Sequence, residues 1–201
     1  MENYFKKFYN FLKKDTWTSL IVTLILAFLV IKFIFFPILS LITGNSLPLV
    51  IVESCSMNHQ GLLGGSFDSY WTEKGSWYEQ RGITKEQFKE FSFTSGMKMG
   101  DIILVYNKSP PKIGDVIIFN AGSGYPIIHR IVSENPLQTK GDNNLDQLTI
   151  LNNPNRVDET NINQNQLIGK AIFKIPRLGW IKLIFVKVYE LLSGIPQEPW
   201  C

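Results

Sequence analysis

The sequence has few of the residues that build disulfide frameworks and metal sites. It contains two cysteines, Cys55 and Cys201, and two histidines, His59 and His129, among 201 residues. Two cysteines cannot make a disulfide framework or a four-cysteine zinc site. Charge is also scarce: charged residues make up 18% of the chain and the net charge is +3, too little to indicate a nucleic-acid partner. The hydrophobic content of 45% excludes a disordered chain.

One long hydrophobic run near the N-terminus, from Trp17 to Thr43, contains a single charge, Lys32. A helix of about 20 apolar residues spans the hydrocarbon core of a bilayer. We therefore predict a transmembrane helix over residues 17–36, closed by Pro37, with apolar sequence continuing to residue 43. A buried core helix is one alternative, but it would require a much larger protein around it. A cleaved signal peptide is another, but its apolar region is only about 7 to 15 residues long.

The charges on the two sides of this helix predict its orientation. Four lysines precede it: Lys6, Lys7, Lys13 and Lys14. The first charged residue after it is Glu53. The positive-inside rule then places residues 1–16 in the cytoplasm and the rest of the chain outside. We expect a single-pass protein of the cell membrane, with the lipid bilayer as a partner and no nucleic acid.

After the hydrophobic run, the chain changes to short β-branched segments bounded by Gly, Pro, Asn or Ser, which are typical of strands. The predicted strands are 47–52, 101–106, 115–120, 126–132 and 167–174. We expect a mostly β extracytoplasmic domain over residues 45–177. Residues 60–99 interrupt it, and within them 84–91 is predicted to be helical with Thr84 as N-cap. Residues 178–201 are predicted to form a C-terminal amphipathic segment with a short helix over residues 178–192, which is too short and too charged to span a membrane.

Three segments carry residues capable of chemistry. Ser56 comes at the end of the first predicted strand, but a serine is a nucleophile only with a base and oxyanion donors beside it. His129 lies within an apolar strand, where a lone histidine is more often structural. The segment 139–147 (TKGDNNLDQ) contains Asp142 and Asp146, and on its own it predicts a turn.

In this order, after a membrane anchor, these features resemble the type I signal peptidase family, in its archaeal and endoplasmic-reticulum branch. The resemblance covers residues 50–57 and 99–146 and is weaker over 168–185. Bacterial relatives have a lysine base where this chain has His129. The resemblance implies a signal-peptidase-like β fold and a membrane-bound serine endopeptidase that removes signal peptides from secretory preproteins. It implies Ser56 as the nucleophile, no cofactor, and the protein-export machinery as a further candidate partner.

The resemblance also implies a triad. His129 is the general base, and a neutral imidazole can accept the proton of Ser56 and later protonate the leaving amine. The acid that orients His129 comes from Asp142 or Asp146, which are closer together than in the family, so both stay candidates with a slight preference for Asp146. Ser54 matches a position whose hydroxyl assists the oxyanion hole, together with the backbone N–H of Ser56.

Three further features depart from the family. Cys55 is unusual at its position, and alternation along an extended strand predicts a small core residue on the face opposite the serines. His59 replaces a proline and is predicted to be a surface turn residue. Residues 58–99 form a far longer connection than in the family. Its aromatic residues are Phe67, Tyr70, Trp71, Trp77, Tyr78, Phe88, Phe91 and Phe93. They suit a membrane-interface contact, a lid over a substrate cleft or an ordinary packed excursion.

Two other functions stay open. A self-cleaving serine peptidase of the repressor type has a related β architecture, but residues 126–132 contain no lysine to act as its base. The other is a non-catalytic membrane-anchored β domain that binds a partner. The altered aspartate spacing and the long connection keep it open, whereas the presence of Ser56, His129 and the aspartate loop counts against it.

Overall fold

The computed structural model describes residues 2–59, 66–122, 125–153 and 157–194, in two compact units that divide after Gly44. The first unit is helical. Its elements are α1 (Glu2–Leu12), α2 (Trp17–Val30), a π-helical segment (Ile31–Phe35) and α3 (Phe36–Thr43). The last three form one continuous helix of 27 residues that is long and apolar enough to cross a membrane.

The prediction that Pro37 closes this helix is wrong. Proline has no N–H and its ring clashes with the carbonyl one turn earlier. The π-helical segment lies directly before it, and there the N–H of Phe36 bonds the carbonyl of Ile31, five residues back. This wider turn changes the register of the hydrogen bonds, which is how a helix commonly continues past a local disruption. The helix ends instead at Gly44, whose φ of 68° is left-handed.

The second unit is built on one six-stranded antiparallel sheet. Its strands are β1 (Leu49–Ile51), β2 (Ile102–Tyr106), β3 (Val116–Asn120), β4 (Pro126–Glu134), β5 (Leu137–Lys140) and β6 (Leu167–Ile175). They lie in the order β1-β2-β6-β3-β4-β5. The five predicted strands are confirmed, although β1 is shorter than expected. Strand β5, at the other edge of the sheet, has no counterpart among the predictions.

Strand β3 forms the centre of the core because it is buried on both faces. Val116 and Ile118 pack into one cluster with residues of β2 and β6. Ile117 and Phe119 point the opposite way and pack with Ile131 of β4. This is the alternation of a strand with two apolar faces, and it explains the unbroken hydrophobic sequence.

The long connection between β1 and β2 contains two helices, α4 (Phe67–Glu79) and α5 (Lys85–Lys89). Helix α5 begins at the predicted N-cap, Thr84, which forms a capping box with Gln87. All eight aromatic side chains noted above are buried or half-buried, and several form a cluster against Val132 of β4. Of the three readings of this segment, the structure therefore supports a packed excursion. Residues 60–65 lie outside the described residues.

The predicted C-terminal helix is confirmed as α6 (Trp180–Ser193). Leu183 is its one buried residue, while most of its apolar side chains are exposed. On its polar side, Lys182 forms an ion pair with Glu53 at 3.1 Å. Residues 195–201 of the predicted amphipathic segment lie outside the described residues.

Candidate active site

Ser56 lies in a turn that follows β1. The chain bends over residues 54–57, and the N–H of Asn58 bonds the carbonyl of Cys55 at 3.0 Å. The hydroxyls of Ser56 and Ser54 are 3.2 Å apart and hydrogen bonded to each other. The two serines that the resemblance assigns to the nucleophile and the oxyanion hole therefore share one exposed edge of this turn.

The turn also corrects the prediction for Cys55. Because residues 54–57 are not extended, the expected alternation of faces does not apply. Cys55 is half-buried and disulfide-bonded, so it is not the small core residue that we expected. The second cysteine of the sequence, Cys201, lies outside the described residues.

His129 is buried on β4, and a carboxylate fixes its orientation. Its Nδ1 is hydrogen bonded to Oε1 of Glu159, a side chain with no exposed surface. Glu159 also accepts from the Thr139 hydroxyl (2.9 Å) and the N–H of Leu148 (2.7 Å). A carboxylate only accepts, so Nδ1 must carry the proton. In the neutral imidazole, the lone pair that can accept a proton is then the one on Nε2.

A four-residue loop connects His129 with Ser56. A methyl group built on Gly141 would lie 2.7 Å from His129 Nε2, so this ring nitrogen faces the glycine. Two residues later, the N–H of Asn143 donates to the carbonyl of Ser56 at 2.7 Å. The loop 141–144 thus borders both residues. The Ser56 hydroxyl bonds Ser54 and not His129, an arrangement common before substrate tightens a site.

Asp142 does not contact His129, and the prediction that it orients the base is wrong. Its carboxylate accepts three hydrogen bonds from the guanidinium of Arg130, the shortest at 2.7 Å. It also accepts from the Tyr78 hydroxyl (2.8 Å) and from His59 Nε2 (2.6 Å). Consecutive residues of a strand point to opposite faces, so a carboxylate bound to Arg130 lies on the wrong side for His129.

The charges of this cluster determine its ionisation. Burial alone would raise the pKa of Asp142, but the positive charge of Arg130 and the hydrogen bond from His59 outweigh it and hold that pKa well below its ordinary value. Burial, reinforced by the Asp142 charge, raises the pKa of the Tyr78 hydroxyl, which therefore stays a donor. Asp142 is a structural carboxylate in a fully satisfied site.

Asp146, the slightly preferred acid, is not near His129 either. The indole N–H of Trp77 donates to its Oδ1 at 2.7 Å, and the aspartate side chain is 68% exposed. The same hydrogen bond lowers the pKa of Asp146. Its contacts are with the long connection and with solvent, so the expected contact with His129 is wrong for this aspartate also.

Lys140 stabilises the loop 141–144 through hydrogen bonds to its carbonyls. Its buried ammonium donates to the carbonyls of Gly141 (3.0 Å) and Asn144 (2.8 Å) and lies over the rings of Trp77 and Tyr78, 5.1 Å from each ring centre. Burial lowers the pKa of Lys140 to about 8, against the attraction of nearby carboxylates. These contacts hold the loop 141–144 in one shape.

His59 also corrects a prediction, because it is buried rather than a surface turn residue. Its ring stacks on Tyr70 of α4, with centres 3.9 Å apart and an interplanar angle of 6°. No sequence argument for a turn takes account of α4, which covers this position. The burial of His59 is a consequence of the long connection.

Glu159 is the partner of His129 that sequence reasoning missed. It lies 30 residues after His129 and outside every motif. A hydrogen bond from the N–H of Thr139 to the carbonyl of Glu159 (3.0 Å) places it beside β5 and His129. The one available signal was that few acidic residues follow the loop before β6. Within the described parts of the chain, no group of three or more His, Cys, Asp or Glu side chains is placed to hold a metal ion.

No known protein-family model matches the chain, and no curated protein matches it.

Proposed function

We propose that this chain is a membrane-bound serine endopeptidase of the signal peptidase type, which removes N-terminal signal peptides from exported preproteins. The observation that carries the proposal is the His129–Glu159 pair. This pair leaves Nε2 of His129 facing Gly141, and Asn143 in the same loop donates its N–H to the carbonyl of Ser56. A histidine held by a buried carboxylate through one nitrogen, with the other open, is the arrangement of a general base.

In the proposed mechanism, His129 Nε2 removes the proton of Ser56 as its Oγ attacks the carbonyl carbon of the scissile peptide bond. Glu159 stabilises the imidazolium that forms. The Ser54 hydroxyl and the Ser56 N–H donate to the oxyanion of the tetrahedral intermediate. His129 then protonates the departing amine, leaving an acyl-serine. Water, deprotonated by the same nitrogen, releases the signal peptide and restores Ser56.

The substrate binds as an extended strand. β1 is at the edge of the sheet, with β2 on its other side, and it leads directly to Ser54 and Ser56. A peptide added beside residues 49–53 gains backbone hydrogen bonds and offers alternate side chains to the protein. This edge therefore supports cleavage of an unfolded segment such as a signal peptide.

The N-terminal helix anchors the enzyme in the cell membrane. Lys6, Lys7, Lys13 and Lys14 favour a cytoplasmic N-terminus and therefore a catalytic domain on the outer side. That side is where the cleavage site of an exported preprotein emerges.

A non-catalytic, partner-binding domain is the second candidate, because the Ser56 hydroxyl bonds Ser54 rather than His129. Cleavage of a preprotein by the purified full chain in detergent distinguishes the two. We expect wild type to cut at the signal-peptide junction and Ser56→Ala and His129→Ala to be inactive while folded, as judged by circular dichroism. A folded but inert wild type, or cleavage by Ser56→Ala, would favour the binding domain.

A further inference from the structure

The buried cluster around Asp142 joins one carboxylate to a guanidinium and an imidazole. Asp142 is paired with the guanidinium of Arg130 and with His59, and all three side chains are buried. The remaining guanidinium N–H groups donate to backbone carbonyls, including those of Ser92 and Gly114 at 2.7 Å. Tyr70 and Tyr78 of α4 and the ammonium of Lys140 also donate hydrogen bonds to Asp142.

The partners of His59 define its protonation state. Its Nε2 lies 2.6 Å from a carboxylate oxygen of Asp142 and its Nδ1 lies 2.8 Å from the carbonyl oxygen of Thr94. Both partners are acceptors without a proton, because Asp142 is ionised. A neutral imidazole has one N–H and would leave one nitrogen lone pair against an acceptor in a buried site. Only the doubly protonated ring satisfies both contacts.

His59 and Thr94 lie at the two ends of the long connection, and the histidine joins them to the loop that borders Ser56 and His129. Asp142 is flanked in that loop by Gly141, which faces His129 Nε2, and by Asn143, which holds the Ser56 carbonyl. Any displacement of Asp142 therefore moves the neighbours of both the candidate base and the candidate nucleophile.

We propose that His59 is a doubly protonated imidazolium and a positioning residue, through which the connection 66–96 holds the loop 141–144 in the geometry that catalysis requires. The positioning role of His59 rests on the proposed function, whereas its protonation state does not. His59 touches neither Ser56 nor His129 and acts on them through Asp142.

Nuclear magnetic resonance tests the protonation state without reference to activity. The chain has only two histidines, so ¹⁵N-histidine labelling of the full-length His129→Gln variant in detergent leaves the ring of His59 as the one histidine signal. At neutral pH we expect both ring nitrogens to have chemical shifts of the protonated type. One nitrogen with the shift of an unprotonated ring would overturn the proposal, whether or not the wild type cleaves preproteins.

Kinetics test the positioning role. We expect His59→Gln to lower kcat by about 10- to 100-fold with KM changed less than about threefold, since a small misplacement of reacting groups costs that much. The matched control is Lys85→Ala, which removes an exposed ion pair with Asp68 in the same connection and should leave kcat unchanged. Unchanged kcat in folded His59→Gln would overturn the positioning role.

Two readouts keep the test decisive. If His59→Gln does not fold, Tyr78→Phe removes another hydrogen bond to Asp142 without altering the ring, and a smaller loss of kcat is expected. If wild type is inert, the ring signals of His129 replace kcat: they should shift in His59→Gln and not in Lys85→Ala. Signals of His129 that stay in place in both variants would count against the positioning role.

Discussion

The two histidines of this chain are each hydrogen bonded to a buried carboxylate, yet their surroundings differ. His129 uses one nitrogen for Glu159, and the other faces Gly141. His59 uses both nitrogens, and its carboxylate is also bound by Arg130. A histidine can move a proton only if one nitrogen is uncommitted. The pair to examine for catalysis is therefore His129–Glu159, and His59–Asp142 is a structural ion pair.

The largest effect is expected from Glu159→Gln. The N–H of Leu148 requires an oxygen at the Oε2 position, so the amide NH₂ of the glutamine would face His129. His129 would then accept at Nδ1 and carry its proton on Nε2, the wrong tautomer for a base. We expect kcat to fall by about 10³- to 10⁴-fold, measured by preprotein cleavage.

Asp146→Asn is the control for that change, because Asp146 was the preferred acid from the sequence and lies against Trp77. Its activity should stay within about threefold of wild type, as expected for an exposed side chain away from the base. A larger loss in Asp146→Asn than in Glu159→Gln would reverse the assignment.

Substitution in the His59–Asp142 pair should mainly affect the stability of the fold. Asp142→Asn leaves the charges of Arg130 and His59 buried without a counter-charge, and removing one partner of a buried pair costs about 3–5 kcal/mol. We expect that loss in the free energy of unfolding, from urea denaturation in detergent. Asp68→Asn, at an ion pair whose aspartate is 74% exposed, should lower the free energy of unfolding far less, because an exposed ion pair contributes little to stability. Equal losses would contradict the role given to Asp142.

A bulkier residue beside the open nitrogen should impair catalysis alone. In Gly141→Ala the added carbon would lie 2.7 Å from His129 Nε2 and 2.6 Å from Asn144 Nδ2, so one of them must move. We expect kcat to fall by about 10²-fold, the cost of a displacement near 1 Å. The unfolding midpoint should change little. A Gly141→Ala variant with full activity would show that Nε2 does not take part in proton transfer on the side of Gly141.

The smallest effect concerns pH. The pKa of Asp142 is lower in the folded protein than in the unfolded chain, so the unfolded state binds more protons as the pH falls. Its stabilising contribution is complete above the ordinary carboxyl pKa of about 4 and is lost below it. Wild type should therefore lose more stability than Asp142→Asn between about pH 5 and pH 2. Parallel pH profiles would contradict the depressed pKa.

Local sequence was sufficient for the elements with strong patterns. Strands β2, β3, β4 and β6 are β-branched runs bounded by turn residues, and Thr84 with Gln87 is a recognisable helix start. Helix α4 was missed because Gly75 and several aromatic residues give a weak helical pattern; Gly75 is needed since a side chain there would overlap the ring of Trp71. Strand β5, four residues long, is too short to show alternation.

The candidate site could be predicted only in part. Ser56 and His129 were found by motif, and the loop 141–144 does lie beside both. The partner of His129 could not be found this way, because it depends on which face of β4 each acid reaches. Glu159 reaches His129 through backbone pairing with Thr139, and Asp142 is bound by Tyr78 of α4; both contacts join segments that are distant in the sequence.

The order of the strands has a consequence for the order of synthesis. Strand β6 lies between β2 and β3, so it joins the half of the sheet that leads to Ser56 with the half that contains His129. Contacts between distant parts of a chain form late, after the intervening chain is available. The two halves can become one sheet only when residue 175 has been made. The half of the sheet that leads to Ser56 and the half that contains His129 therefore depend for their relative placement on β6, a strand that is C-terminal to both residues.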